Sequence, residues 1–449
     1  MTLSASTPIL PRAWALPRSP KRVAVGSLNE AEELSGIGKL AFVSLWLLVF
    51  AIPWEDAITI SDFGTSARLI GVVTIVLGFL AILEKGTLRR PAAGHLVMGL
   101  FVTSAAFTYL WSLYPEGTLN QTVTYIQLLA LVWLIWELSP QVEQQKRLMQ
   151  AYILGTFVSG IDTIYRFVSH QESAYQRYAG AGLDANDLGL MMALSIPVSY
   201  FLLLQEKGPM VWVYRLQIVL AGTTIFLTAS RGATLASLVA LAIVPLTQTR
   251  LTTRQRIAVL LTIALLIVGV LLFVPASSWE RLSTAPDELT HGTLTGRKII
   301  WKAGWEIFRE HPYVGIGANA FRLVVCRVLT EPIRLDDPVS VAPPAHNTFL
   351  SVLVEEGVMG FAIFCAMLAV LALSLRALPK FPQKLWIVCL GVWVVGVSSL
   401  TWEMRKPTWF FFGLLLAQCG SMTKEWSTAR VDAPDLAQHP APALRLSWS

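Results

Sequence analysis

The chain has 449 residues, of which 54% are hydrophobic and only 14% charged, with a formal net charge of +6. Ordinary soluble domains carry about 25% charged residues. A mean hydropathy of +0.57 and sixteen tryptophans, a residue that concentrates where bilayer meets water, exclude a soluble enzyme and define an integral membrane protein. No nucleic-acid partner is expected.

Residues 1–36 read as a cytoplasmic N-terminal segment rich in Arg and Lys, with no apolar stretch ahead of the first helix that would mark a cleaved leader, so that helix is expected to stay in the chain. About twelve apolar runs follow, each long enough to cross a hydrocarbon core of about 30 Å. They lie near 37–54, 67–83, 95–112, 119–138, 148–168, 187–204, 211–229, 232–248, 257–275, 357–375, 385–401 and 407–420. The runs lack the alternation of barrel strands, and in lipid a helix pairs every backbone amide within its own segment. The predicted fold is therefore an all-α integral membrane bundle. Helices 1 to 9 occupy 37–275, a large connection 276–356, and helices 10 to 12 residues 357–420; residues 421–449 form a cytoplasmic tail, whose Pro- and Ala-rich part after Trp426 is expected to be unstructured. Alternate connections carry Lys85, Arg89 and Arg90, then Lys146 and Arg147, then Arg250, Arg254 and Arg256, then Arg376, Lys380 and Lys384, which places these and both termini in the cytoplasm.

The short connections of the opposite face hold few basic residues, which makes Arg177, Arg231, Arg405 and Lys406 informative. The 276–356 connection is on this face too, and a loop of that length is usually functional. In "YQRYAGAGLDAND", Arg177 precedes a Gly-rich turn, and Asn186 or Asp187 is placed to cap the next helix. In "TASRGATLAS", Arg231 occupies a tight turn between two runs; Ser230 can cap, Gly232 admits a neighbouring group, and a helix N-terminus attracts anions. "GRKIIWKAGWEIFREHPYVGIGANAF" reads as an amphipathic helix lying along the bilayer surface and ended by His311 and Pro312, with Gly315 and Gly317 in a tight turn. No strand precedes those glycines, so they do not form a dinucleotide fingerprint.

"PPAHNTFLSVLVEEG" places His346 where the long connection re-enters the membrane, with Asn347 as its orienting partner or as a helix cap. Glu355 is nine residues on, roughly 13 Å along a continuous helix and on the opposite face, so direct contact with His346 is not expected. Trp402, Glu403 and Arg405 lie on the same side, at an expected acceptor entrance. Asp336 and Asp337 have no third ligand nearby, and the four cysteines suggest no disulfide framework. Neither a metal nor another cofactor is expected.

Arg177 with Gly180 and Asn186, Ser230-Arg231-Gly232, Arg297 with Trp301, Pro312, Gly315 and Gly317, and His346-Asn347 with Leu350, Glu355, Gly357 and Gly360 together resemble the O-antigen ligase and polymerase superfamily. The resemblance covers about residues 175 to 365 and rests on the order and common membrane side of these motifs. It implies a glycosyltransferase of the C-type class with a large periplasmic loop in the bacterial inner membrane. Such an enzyme moves a glycan from undecaprenyl diphosphate to an acceptor hydroxyl, here that of a lipid A-core oligosaccharide, during lipopolysaccharide biosynthesis. Within it, Arg231 and Arg297 would hold the diphosphate, with Arg177 as a third cation, and His346 would take the acceptor's proton; Asn347, Glu355 and Trp402 would line the substrate site. An O-antigen polymerase or protein O-oligosaccharyltransferase shares this chemistry. A transporter of lipid-linked sugars would instead place charges near the bilayer midplane in several helices.

Overall fold

The computed structural model describes residues 35–60, 64–171, 177–180, 182–247, 297–329 and 343–431, with isolated positions 254, 257 and 261. Most of the run expected at 257–275, much of the large connection, residues 1–34 and residues 432–449 lie outside the described residues, whereas the start of the expected tail is helical, as part of the last helix, to Val431.

The described chain is helical except for a two-residue hairpin pairing Thr59–Ile60 with Gly64–Thr65. In order, the helices are α1 (Gly36–Ala51), α2 (Ser66–Lys85), α3 (Ala93–Phe107), α4 (Pro115–Leu138), α5 (Val142–Val168), α6 (Ala185–Gln205), α7 (Met210–Leu227), α8 (Arg231–Leu241), α9 (Ile243–Thr247), α10 (Arg297–Glu310), α11 (Phe321–Leu329), α12 (Thr348–Ser374), α13 (Lys380–Val397) and α14 (Lys406–Val431), with short 3₁₀ turns between some of them. Eight described helices are long and apolar enough to cross a membrane: α1 with its 3₁₀ extension, α2, α3, α4, α6, α7, α12 and α13. The molecule is thus an all-α, multi-pass membrane protein. Helices α5 and α14 form where apolar runs predict them but are not in that set. The run at 232–248 is interrupted: α8 stops at Leu241 and α9 adds only one further turn.

Helix α6 is buried along most of its length, as suits a helix apolar on all sides. It packs against α5, α7, α8 and α13. Close approach depends on small residues: a Cβ on Gly189 would sit 2.6 Å from Ala233 of α8, and one on Gly396 of α13 would sit 2.3 Å from Leu190. Helix α2 is peripheral, resting on α1 and α4 with Val72, Val76, Phe79 and Leu83 turned outward.

Outside the spans, α10, the turn after it and α11 form a second layer. Ile300, Ala303 and Ile307 of α10, Ile316, Phe321 and Val325 enclose a small core with Val354 of α12. The amphipathic stripe of α10 therefore faces protein, with Ile299 beside it exposed.

This layer is anchored at a break in α12. The helix begins at Thr348, earlier than the run at 357–375 suggests, and Gly357 within it has φ 65 and ψ −170. The backbone groups opened there are paired by the turn after α10: Val358 N donates to Pro312 O at 2.8 Å, Met359 N to Tyr313 O at 3.2 Å, and Gly317 N to Glu355 O at 2.9 Å. Broken helix at membrane depth is tolerated where protein satisfies it in this way. Gly357 occupies a backbone region open essentially to glycine alone, worth about 1–3 kcal/mol of strain for other residues, and a Cβ on it would meet Tyr313 O at 2.3 Å. Gly357→Ala should lower the thermal unfolding midpoint in detergent by several degrees, whereas Gly99→Ala, with nothing within 4 Å of its Cβ, should leave it unchanged. Equal midpoints for the two variants would contradict this account of the break.

Candidate functional site

His346 stands at the N-terminal approach to α12, in a segment fastened from two sides. Its backbone N–H donates to Thr401 Oγ1 at 3.0 Å. Two residues on, Thr348 Oγ1 donates to Leu400 O at 2.9 Å and accepts from Trp402 N at 2.8 Å. From the other side, Trp301 of α10 donates its indole N–H to Ala345 O at 2.9 Å. Asn347 caps α12, its Oδ1 accepting from Leu350 N at 3.0 Å. The cap is the alternative that the structure selects for this side chain. The His346 backbone is left-handed, with φ 48.

The 400–405 connection that holds His346 is itself held by Asp187, near the start of α6. Asp187 is buried; its Oδ1 accepts from Trp402 Nε1 at 2.8 Å and its Oδ2 pairs with Arg405 Nη2 at 2.7 Å. The helix cap expected from Asn186 or Asp187 is supplied by Asp184, whose Oδ1 accepts from Asn186 N at 2.7 Å, which leaves Asp187 for this second task. Ser230 caps α8 as its position suggests, accepting from Ala233 N at 3.3 Å. Gly232 admits the end of α13, with Ser399 Oγ only 2.3 Å from where a Cβ would stand.

His346, Arg322, Asp184, Asp187, Ser351, Glu355, Thr401 and Arg405 line one cavity of about 330 Å³. Burial, followed by the positive charge of Arg297 and then of Arg322 and Arg177, holds the His346 imidazole down at about 4, with Asp184 opposing. Arg297 is likewise shifted down, by burial and by Arg231, against the pull of Asp184. Elements far apart in sequence thus gather Arg177, Arg231, Arg297 and Arg322 into one positive field around a neutral histidine. Arg177 is also structural: its Nε donates to Thr228 O at 2.8 Å and its Nη2 to Asn186 Oδ1 at 2.7 Å, tying the α5–α6 connection to the ends of α6 and α7. Arg322 was not distinguishable in the sequence, because its place depends on how α11 docks.

Glu355 lines the same cavity as His346 from the regular turns of α12 that precede Gly357. It also accepts, through Oε1, the N–H of Phe321 at 3.1 Å, and so caps α11. Ser351, in the same lining, donates to Glu403 Oε1 at 3.0 Å. Burial raises the Glu403 carboxyl to about 7, with hydrogen bonds from its own backbone and from Ser351 and Thr348 opposing. Among the described residues, no group of three His, Cys, Asp or Glu side chains converges as metal ligands would.

Taken together, a multi-pass helical membrane protein with a cavity beside its extramembrane layer, lined by His346, two arginines and three acidic residues, is the class these features define. Residues 216–365 match the family profile described as O-antigen ligase (Wzy_C), a stretch that holds Arg231, Arg297, Arg322, His346 and Glu355. The match covers about a third of the chain, which over that stretch is similar to the O-antigen ligase family. No curated protein matches the chain at significant similarity.

Because the imidazole is depressed from 6.5 to about 4, the unfolded chain binds this proton more readily between those values. Stability from His346 is therefore complete above about pH 6.5 and lost as pH falls toward 4. Arg297→Gln should raise the His346 value toward 6.5, read from histidine-labelled NMR with His346→Ala as the assignment control. An unchanged titration in Arg297→Gln would show that the arginine does not act on this imidazole.

Proposed function

We propose that this protein is an O-antigen ligase of the bacterial inner membrane. It transfers a glycan from undecaprenyl diphosphate to a hydroxyl of the lipid A-core oligosaccharide at the periplasmic face, with both termini in the cytoplasm. The observation that carries this reading is the neutral histidine lining a cavity under the field of several arginines.

The acceptor oxygen attacks the anomeric carbon, the carbon–oxygen bond to the diphosphate breaks, and undecaprenyl diphosphate leaves with the electron pair. The hydroxyl proton passes to His346 and then to water. Charge grows on the departing diphosphate, and preorganised cations stabilise it without reorganising at the moment of reaction. Arg231 and Arg297 take that role, being permanently charged and able to bind phosphate oxygens through two N–H groups. Arg177 and Arg322 add to the field, Asn347 fixes the start of α12, and Glu355 holds α11. Trp402 positions Arg405 through the shared Asp187. In this reading the arginines supply the positive charge, and no metal or other cofactor is used.

An imidazole near 4 is a weak base at neutral pH, whereas general bases work best when matched to their operating pH. The bound diphosphate resolves this: its negative charge offsets the arginines that hold His346 down, so the base strengthens when donor is in place.

In cells making lipopolysaccharide, His346→Ala should abolish core-attached O-antigen while lipid-linked polymer persists. In reconstituted membranes it should cut the transfer rate by about 10²–10⁴; Arg231→Ala or Arg297→Ala should cost about 10²–10³. Normal core-attached polymer in His346→Ala would overturn the assignment, and single repeats on the core would identify a polymerase.

A further inference from the structure

A second cavity of about 350 Å³ meets the first at Met404 and Arg405, which line both. Its walls are Leu48 of α1, Val72 and Ile75 of α2, and Leu128 and Leu131 of α4. Leu128 and Leu131 are buried, whereas Val72 is 53% exposed on the peripheral face of α2. Such a groove opens sideways onto hydrocarbon. Its polar end holds Arg68, Arg405 and Lys406. Lys406 is paired with Glu55 and Arg405 with Asp187; among the described residues Arg68 has no ion pair.

An apolar shaft whose polar end holds Arg68 and Arg405, continuous with the cavity that His346 and Arg322 line, complements an anionic lipid whose head lies at that junction and whose chain lies in the shaft. The chemistry distinguishes the two amphiphilic substrates. In the donor, the bond that breaks is separated from the lipid by one diphosphate, so its lipid must leave directly from the reaction cavity. In the acceptor, the reacting hydroxyl is at the end of a glycan distant from its lipid, and no adjoining groove is required. Resting on the glycosyl-transfer reading above, the geometry points to the α1/α2/α4 groove as the seat of the donor's polyprenyl chain, with Arg405 and Arg68 at the throat through which the diphosphate passes.

Gly71 of α2 lines this groove, and a Cβ there would meet Leu48 Cδ1 at 3.8 Å, an ordinary contact. Gly71→Ala therefore fits, whereas Gly71→Leu fills the shaft without touching the reaction cavity; Ile75→Trp fills it from a second position. The test is binding of undecaprenyl diphosphate and of citronellyl diphosphate, which carries only two isoprene units, to the full-length protein in detergent. Gly71→Leu and Ile75→Trp should weaken undecaprenyl diphosphate about tenfold and leave citronellyl diphosphate within twofold, with Gly71→Ala like the wild type and thermal midpoints preserved. Equal loss of both ligands, or no loss of either, would overturn the assignment. So would displacement of undecaprenyl diphosphate by an equal concentration of phosphatidylglycerol, which would show that the groove holds bulk lipid only. The readout needs no turnover: a protein that binds as expected yet transfers no glycan would refute the proposed reaction and leave the groove standing.

Discussion

The site depends on one buried carboxylate. Asp187 receives the Trp402 indole N–H and pairs with Arg405, and so holds the connection between α13 and α14 against the start of the central helix. That connection in turn supplies Thr401 and Leu400, to which the His346 segment is bonded. A carboxylate in such surroundings persists as a charge only when it is paired and hydrogen-bonded. The pairing therefore sets the height of three connections at once: the approach to α6, the approach to α12 and the approach to α14.

The second support is the layer outside the membrane, held to the bundle by backbone as much as by side chains. The turn at 312–317 supplies the hydrogen-bonding partners that α12 lacks at Gly357, and Glu355 reaches from the same break to cap α11. In this way the start of α11, and with it Arg322, is referenced to the membrane helix that carries His346. The positive field is built from separate elements: Arg297 and Arg322 come from helices packed on α12, whereas Arg177 is held at the ends of α6 and α7.

Much of the fold was legible in the sequence because length and apolarity alone dictate a spanning helix. The runs behind α1 to α4, α6, α7 and α13 needed no tertiary information. The caps Ser230 and Asn347 were also legible, since they depend on neighbours within four residues. What was hidden required contacts between distant elements. That Glu355 lines the cavity with His346 depends on how α11 docks beside α12, and the break at Gly357 is closed only by a turn some forty residues earlier. The outward placement of α10 had the same cause: its apolar stripe fits a bilayer surface or a protein surface equally well until α11 and α12 are in place. Arg322 carried no local signal, and the one Asp187 carried, a helix cap, is answered by Asp184 instead. Arg177 and Arg231, singled out by the scarcity of charge in their connections, and Arg297, singled out by the resemblance, influence His346 or one another electrostatically.

The backbone at His346 is left-handed, with φ 48, a conformation that few side chains other than Gly, Asn, Asp and His adopt readily. Two demands therefore converge on a single codon, one from the shape of the chain and one from the acid–base work assigned to the ring. Drift toward alanine or a branched residue would deform the approach to α12 as well as remove the imidazole, while asparagine would keep the bend and lose only the ring. Histidine is the one residue in that small set whose ordinary proton affinity lies near neutrality, so the turn narrows the evolutionary alternatives at this position before chemistry selects among them.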